Sequence, residues 1–200
     1  MDKKDRANFR AIVIGVSAGG VAALKKILGD LPIDFAVPVM VVQHTSAAFH
    51  NALASLLDDH CKISVKEAEE CERVQAGFVY VAPANYHLLV EQDGTLSLST
   101  DPPILYARPS IDVLFESAAM AYGPGLIGVI LTGANADGSQ GLKKVKERGG
   151  IAIVQDPADA QAPNMPLAAL AAVKADFVVP LAQLGALLNE LLDKPTHILE

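Results

Sequence analysis

Short apolar runs rich in β-branched residues alternate along this chain with segments whose apolar residues recur at helical spacing, and this alternation restricts the fold more than any other feature. Ala11-Ile-Val-Ile-Gly15 reads as a strand that stops at a glycine-containing turn, after which Val21 to Leu28 repeats apolar residues with helical period. Val37 to Val42 is apolar throughout, as expected of a strand covered on both faces, and Ala47 to Leu57 is helix-like. The same alternation returns later. Leu126 to Leu131 is the most apolar strand, Gly141 to Arg148 a short helix, and Ile151 to Val154 a strand that ends at Gln155-Asp156-Pro157. Met165-Pro166 opens a helix to about Val173, Phe177 to Val179 is a last short strand, and Leu181 to Leu192 is a closing helix.

The middle of the chain differs. Phe78 to Val81 and His87 to Val90 are short strands, and Gln92-Asp-Gly-Thr95 is a turn before Leu96-Ser-Leu98, which together read as an antiparallel hairpin set. Arg108-Pro-Ser-Ile-Asp112 then opens a helix to about Tyr122, with Pro109 and Ser110 suited to its first turn. The expected class is α/β: a doubly wound, mainly parallel sheet flanked by helices, with an antiparallel hairpin at one edge.

With 200 residues, 51% of them hydrophobic, the chain can bury one sizeable core. No repeat or linker divides it, so a single domain over 11–193 is expected between short tails at 1–10 and 194–200. The net charge of −7 argues against nucleic acid or an anionic membrane surface as a partner. The first ten residues carry charges of both signs and no apolar stretch follows a basic start, so no secretory signal is read. No apolar run reaches the length of a membrane span, which makes a cytoplasmic protein without membrane insertion the expectation. Cys61 and Cys71 are too few for a disulfide framework, and His44, His50, His60, His87 and His197 show no zinc-ligand spacing. No metal and no cofactor is expected.

Ligands of open α/β sheets bind beyond the carboxyl ends of the parallel strands. Four strand endings carry chemistry: Gly15-Val-Ser17-Ala-Gly19-Gly20, Gln43-His44, Thr132-Gly-Ala-Asn-Ala-Asp137-Gly138 and Gln155-Asp156. The first fits G-x-S-x-G, which puts a serine on a sharp strand-to-helix turn beside free helix N–H groups. Taken singly, Ser17 reads equally as a helix cap, His44 as a structural histidine and Asp137 as a turn residue. Together they match a hydroxyl, a base and a carboxylate that orients the base, with Asp156 as an alternative carboxylate. A dinucleotide site on the same glycine turn wants an acidic residue after the second strand, where Gln43-His44 stands.

These motifs carry a resemblance. Ile14-Gly-Val-Ser-Ala-Gly-Gly20, Val42-Gln-His44, Arg108-Pro-Ser-Ile-Asp-Val-Leu-Phe115, Val129-Ile-Leu-Thr-Gly133 with Asp137-Gly138, Val154-Gln-Asp156 and Met165-Pro166 occur in that order. The chain resembles, from about Ala11 to its last helix, the catalytic domain of CheB-type protein-glutamate methylesterases. The resemblance implies Ser17 as nucleophile, His44 as general base and then acid, and Asp137 rather than Asp156 as the orienting carboxylate. It implies hydrolysis of glutamyl methyl esters on the cytoplasmic domain of methyl-accepting receptors, with glutamine deamidation as the same chemistry. A receptor methyltransferase or a separate signalling kinase is a further partner it suggests. A non-catalytic signalling adaptor and a small-molecule esterase are the competing classes. The N–H groups of Ala18, Gly19, Gly20 and Ala134 are candidate oxyanion donors, and Arg108 and Met165 candidate substrate contacts. Three positions depart from the family pattern: Ala18 stands for threonine, Gly133-Ala134-Asn135 for Gly-Met-Gly, and Asn164 for glycine. About ten residues precede the first strand, where chemotaxis members carry a receiver domain, so no built-in phosphorylation switch is expected.

Overall fold

The structure, a computed structural model, describes residues 9–44 and 52–193. Nine strands and six helices follow in the order β1 (Ala11–Val16), α1 (Gly20–Gly29), β2 (Val39–Gln43), α2 (Ala52–Asp58), β3 (Ser64–Glu67), β4 (Phe78–Val81), β5 (His87–Val90), β6 (Leu96–Ser99), α3 (Ile111–Tyr122), β7 (Leu126–Ile130), α4 (Ser139–Glu147), β8 (Ile151–Gln155), α5 (Asn164–Ala172), β9 (Phe177–Val179) and α6 (Leu181–Asp193). Seven strands make one sheet in the order β3-β4-β2-β1-β7-β8-β9, with every neighbouring pair parallel. The expected doubly wound class is borne out.

β1 is central, and all six of its residues are buried. Its alternating side chains feed two cores. Ile12, Ile14 and Val16 point to one, with Leu24, Ile27 and Leu28 of α1 and Leu184 and Leu188 of α6. Ala11 and Val13 point to the other, with Leu114, Phe115 and Ala118 of α3 and Leu142 and Val145 of α4. Burial of each such Val, Ile or Leu side chain contributes roughly 1.5–3 kcal/mol, so a run with no polar position is held on both faces. α1 buries Gly20, Ala23, Leu24, Ile27 and Leu28, the i, i+3, i+4, i+7, i+8 stripe its period predicts.

Two parts of the middle segment differ from the sequence reading. β4, grouped there with the hairpin, lies in the main sheet, parallel to β2 and β3. β5 and β6 alone form the hairpin, a separate two-stranded antiparallel sheet packed on α3. β3 has no counterpart in the reading. Ala47 to Asn51 of the expected second helix lie outside the described residues. Among the described residues no helix is long and apolar enough to cross a membrane.

The chain leaves β1 through α1 towards β2 on one side, and β7 joins β1 on the other. The carboxyl ends of β2, β1 and β7 are therefore adjacent, at the point where the strand order reverses and such sheets open a crevice.

Candidate active site

Ser17 follows the last residue of β1 and is fixed through its backbone at both ends. Its N–H donates to Thr132 O at 2.9 Å, and its carbonyl accepts from Gly20 N–H at 2.8 Å and from Gln43 Nε2 at 2.9 Å. The turn closes because Gly19 takes φ +79°, a left-handed conformation that favours glycine. Gly20 is required for space: a Cβ there would run into the Gln43 side chain. Thr132 Oγ1 donates to Ala18 O at 2.8 Å and ties the same turn to the loop after β7. Among the described residues, the N–H groups of Ala18, Gly19 and Ala134 meet no acceptor, whereas that of Gly20 is engaged by Ser17 O. Gly20 is thereby removed from the oxyanion candidates.

His44 follows β2, and Gln43 Nε2 donates to its carbonyl at 2.8 Å as well as to that of Ser17. One buried amide thus holds the backbones of both residues. The imidazole, 13% exposed, places Nε2 at 2.8 Å from Oδ2 of the fully buried Asp137. Nδ1 faces Asn135 Nδ2 at 3.4 Å, and Asn135 Oδ1 accepts the Asp137 N–H at 3.2 Å. Asn135 is outside the positive-φ residues, so its place in the glycine position of the family pattern brings no left-handed strain.

Asp137 sits on the N-terminus of α3. Its Oδ1 accepts the Ser110 hydroxyl at 2.8 Å and Asp112 N–H at 3.1 Å, and its Oδ2 accepts Ile111 N–H at 2.7 Å. Burial pushes its carboxyl up. The hydrogen bonds from His44, Ile111, Asp112 and Ser110 outweigh that effect and hold it below the ordinary carboxylate value. Behind it, Asp112 is buried and accepts Gly141 N–H at 2.6 Å. Burial, with the charges of Asp137 and Glu116, raises its carboxyl to about 6 against the partial relief from Gly141.

A cleft of about 510 Å³ brings together Ser17, His44, Asn135 and Arg108 with Asn85, Leu105 and Tyr106. Arg108 Nη1 donates to Thr100 O at 2.8 Å and Asp101 O at 3.1 Å, its Nε is buried without a partner, and it has no ion pair among the described residues. Leu105 and Tyr106, at φ +47° and +65°, form the tip of a tight turn closed by paired hydrogen bonds between Ile104 and Ala107, with Tyr106 fully exposed.

Two expected residues lie elsewhere. Met165 is only 1% exposed and packs beneath Gly133, so it supports the loop and does not line the cleft. Asp156 caps its own turn by accepting Ala158 N–H at 2.9 Å. Asn85, Tyr106 and the Ser110 hydroxyl were not singled out as site groups by the sequence. Only Ser110 carried a signal, read there as a helix start. No group of three or more His, Cys, Asp or Glu among the described residues could hold a metal ion.

The family model for CheB methylesterase matches residues 12–188. The chain belongs to that family. A Leptospira interrogans member with a provisional protein-glutamate methylesterase/protein-glutamine glutaminase name is 52% identical over 180 residues, 90% of this chain and 93% of that protein. A Clostridium acetobutylicum member with the same double name is 40% identical over 174 residues, and the match spans 87% of this chain but half of the relative. The crystal structure of the Thermotoga maritima CheB methylesterase catalytic domain superposes with a TM-score of 0.88 at 38% identity, covering 92% of this chain and 98% of that domain. The family likeness therefore extends over both sides of the cleft.

Proposed function

We propose that this protein is a protein-glutamate methylesterase that acts through an acyl-enzyme on Ser17. The observation that carries the reading is the 2.8 Å contact between His44 Nε2 and Asp137 Oδ2 in the cleft that Ser17 also lines. With Nε2–H given to the carboxylate, Nδ1 is the basic atom. Ser17 Oγ transfers its proton to Nδ1 and attacks the side-chain carbonyl of a methylated glutamate. The N–H groups of Ala18 and Gly19 are suited to the resulting oxyanion, and Ala134 is a third donor on the facing loop. Methanol leaves with the proton returned by His44, and water activated by the same nitrogen releases the glutamate. Glutamine deamidation follows the same steps with ammonia leaving.

The Arg108 guanidinium, which lines the cleft and has no ion pair among the described residues, is placed to hold a carboxylate of the substrate, and the Leu105-Tyr106 tip offers apolar contact to the protein around the target residue. The partner on this reading is the cytoplasmic domain of a methyl-accepting receptor, and the place of action is the cytoplasm.

Labelling tests the nucleophile. An active-site serine reagent is expected to add to Ser17, to fail with Ser17→Ala, and to react more slowly when a methylated receptor fragment occupies the cleft. Equal labelling of wild type and Ser17→Ala would contradict the assignment.

A further inference from the structure

Three hydrogen bonds in the cleft form a closed ring. Asp137 N–H donates to Asn135 Oδ1 at 3.2 Å, Asn135 Nδ2 faces His44 Nδ1 at 3.4 Å, and His44 Nε2 meets Asp137 Oδ2 at 2.8 Å. The first bond dictates the polarity of the others. A backbone N–H can only donate, so the end of the carboxamide it meets is the oxygen. The nitrogen end then faces His44, and because that nitrogen only donates, Nδ1 must carry a lone pair. The ring proton is left on Nε2, where the Asp137 carboxylate accepts it. Among the described residues the Ser17 hydroxyl makes no hydrogen bond to His44, and the amide holds the nitrogen that it would need.

We propose that Asn135 is a positioning residue for the base: its carboxamide acts with the Asp137 carboxylate to orient the His44 ring as the Nε2–H tautomer, and it covers Nδ1 until an ester in the cleft brings the Ser17 hydroxyl to that nitrogen. This rests on the assignment of Ser17, His44 and Asp137 given above. The bond that has to be exchanged is the weakest of the three, since 3.4 Å is long for an N–H donor whereas a hydroxyl approaches an acceptor at about 2.8 Å. Asn135, His44 and Ser17 line the same cleft, so the exchange is local. A glycine at this position, as in the family pattern, has no group for either bond. The other charged groups around the ring are Asp137 itself, from the loop between β7 and α4, and Arg108, from the segment that enters α3. Asp112 lies behind Asp137, with its carboxylate turned to Gly141 of α4.

The test is 15N NMR of the His44 ring, together with the pH profile of kcat/KM for ester hydrolysis, on the whole chain and its Asn135→Gly and Asn135→Asp variants. Wild type is expected to show an unprotonated Nδ1 and a protonated Nε2. Asn135→Asp keeps an oxygen for Asp137 N–H but turns a second carboxylate oxygen to Nδ1. Nδ1 should then hold a proton, and the acid limb of the profile should move to higher pH by about one unit or more. In Asn135→Gly the Asp137 carboxylate still holds the proton on Nε2, so the variant should keep that tautomer but show the Nδ1 signal displaced to that of a nitrogen without its donor, with a three- to tenfold lower kcat and KM unchanged, as expected for loss of one weak neutral hydrogen bond of about 1 kcal/mol. If both variants keep the wild-type nitrogen signature and an unmoved acid limb, Asn135 is structural only and the proposal is wrong. A wild type that hydrolyses no ester would overturn the methylesterase reading instead, and the nitrogen signature would still decide this one.

Discussion

Gln43 and Ser17 are joined across neighbouring strands by a hydrogen bond from the Gln43 amide to the Ser17 carbonyl at 2.9 Å, and the same amide nitrogen reaches the His44 carbonyl at 2.8 Å. The spacing between the Ser17 and His44 backbones is thereby set by one buried side chain. Gln155 has a related place at the end of β8, on the far side of β7 from β1, where its Oε1 accepts Thr132 N–H at 2.9 Å at the root of the loop that carries Asp137.

Gln43→Glu keeps the shape of this tether but presents oxygen to two carbonyls. Stability should fall by about 2–4 kcal/mol, because a buried donor is lost and a charge is left without a partner. Esterase kcat should fall with it, read by denaturant melts and by kinetics at a temperature where the variant is folded.

Ser110→Ala removes a neutral donor from the Asp137 carboxylate and leaves the N–H groups of Ile111 and Asp112 in place. A hydrogen bond to a charged group contributes about 1.5–3 kcal/mol, so a loss of that order is expected at pH 7. The sign of the pH dependence follows from the depressed carboxyl. Stability from Asp137 is present above the ordinary carboxylate value and is lost as pH falls through the lower, folded one. The difference between wild type and variant should therefore shrink on acidification, as urea melts across pH 3–7 would show.

Asp112 behaves in the opposite sense. Its carboxyl is raised from 3.8 to about 6, so between those values the unfolded chain ionises first and stability from this group declines as pH rises. Asp112→Asn keeps an oxygen for Gly141 N–H and abolishes the titration. It should flatten this part of the stability profile and leave the variant more stable than wild type at pH 7 by on the order of 2 kcal/mol. An unchanged profile would show that Asp112 is not the titrating group.

Tyr106→Ala should raise KM for a methylated receptor fragment by roughly three- to tenfold, the value of an aromatic contact of about 1 kcal/mol, with hydrolysis of a small activated ester unaltered. The separation between the two substrates is the readout. Equal effects on both would place Tyr106 in the structure of the cleft and not in substrate contact.

The parts of this fold that were legible in the sequence are those in which burial leaves no polar position. β1, β2 and β7 are buried at every residue, and each appears as an apolar run. β3, Ser64–Glu67, has a single buried residue, Val65, and so offers neither a run nor an alternation. β4 was visible as a strand, but its parallel partners β2 and β3 are set by tertiary packing, and its nearness in sequence to β5 suggested a hairpin instead.

The site was legible where it follows strand ends. Ser17, His44 and Asp137 come after β1, β2 and β7, three adjacent strands, and this adjacency separates Asp137 from Asp156, which follows β8 one strand further out. What the sequence withheld was direction. Ser110-Ile-Asp112 reads as a helix start and is one, but its donors face the Asp137 carboxylate from 25 to 27 positions away in the chain. Met165 occupies a motif position yet faces inward, and no local pattern tells a loop-supporting methionine from a cleft-lining one.

The most direct test of the account is methanol release from a methylated receptor cytoplasmic fragment, measured for wild type and Ser17→Ala under identical conditions. Release by the wild type is expected, with a rate at least about a thousandfold lower in the variant. Release that persists in Ser17→Ala, or its absence from folded wild type on several methylated receptors, would contradict it.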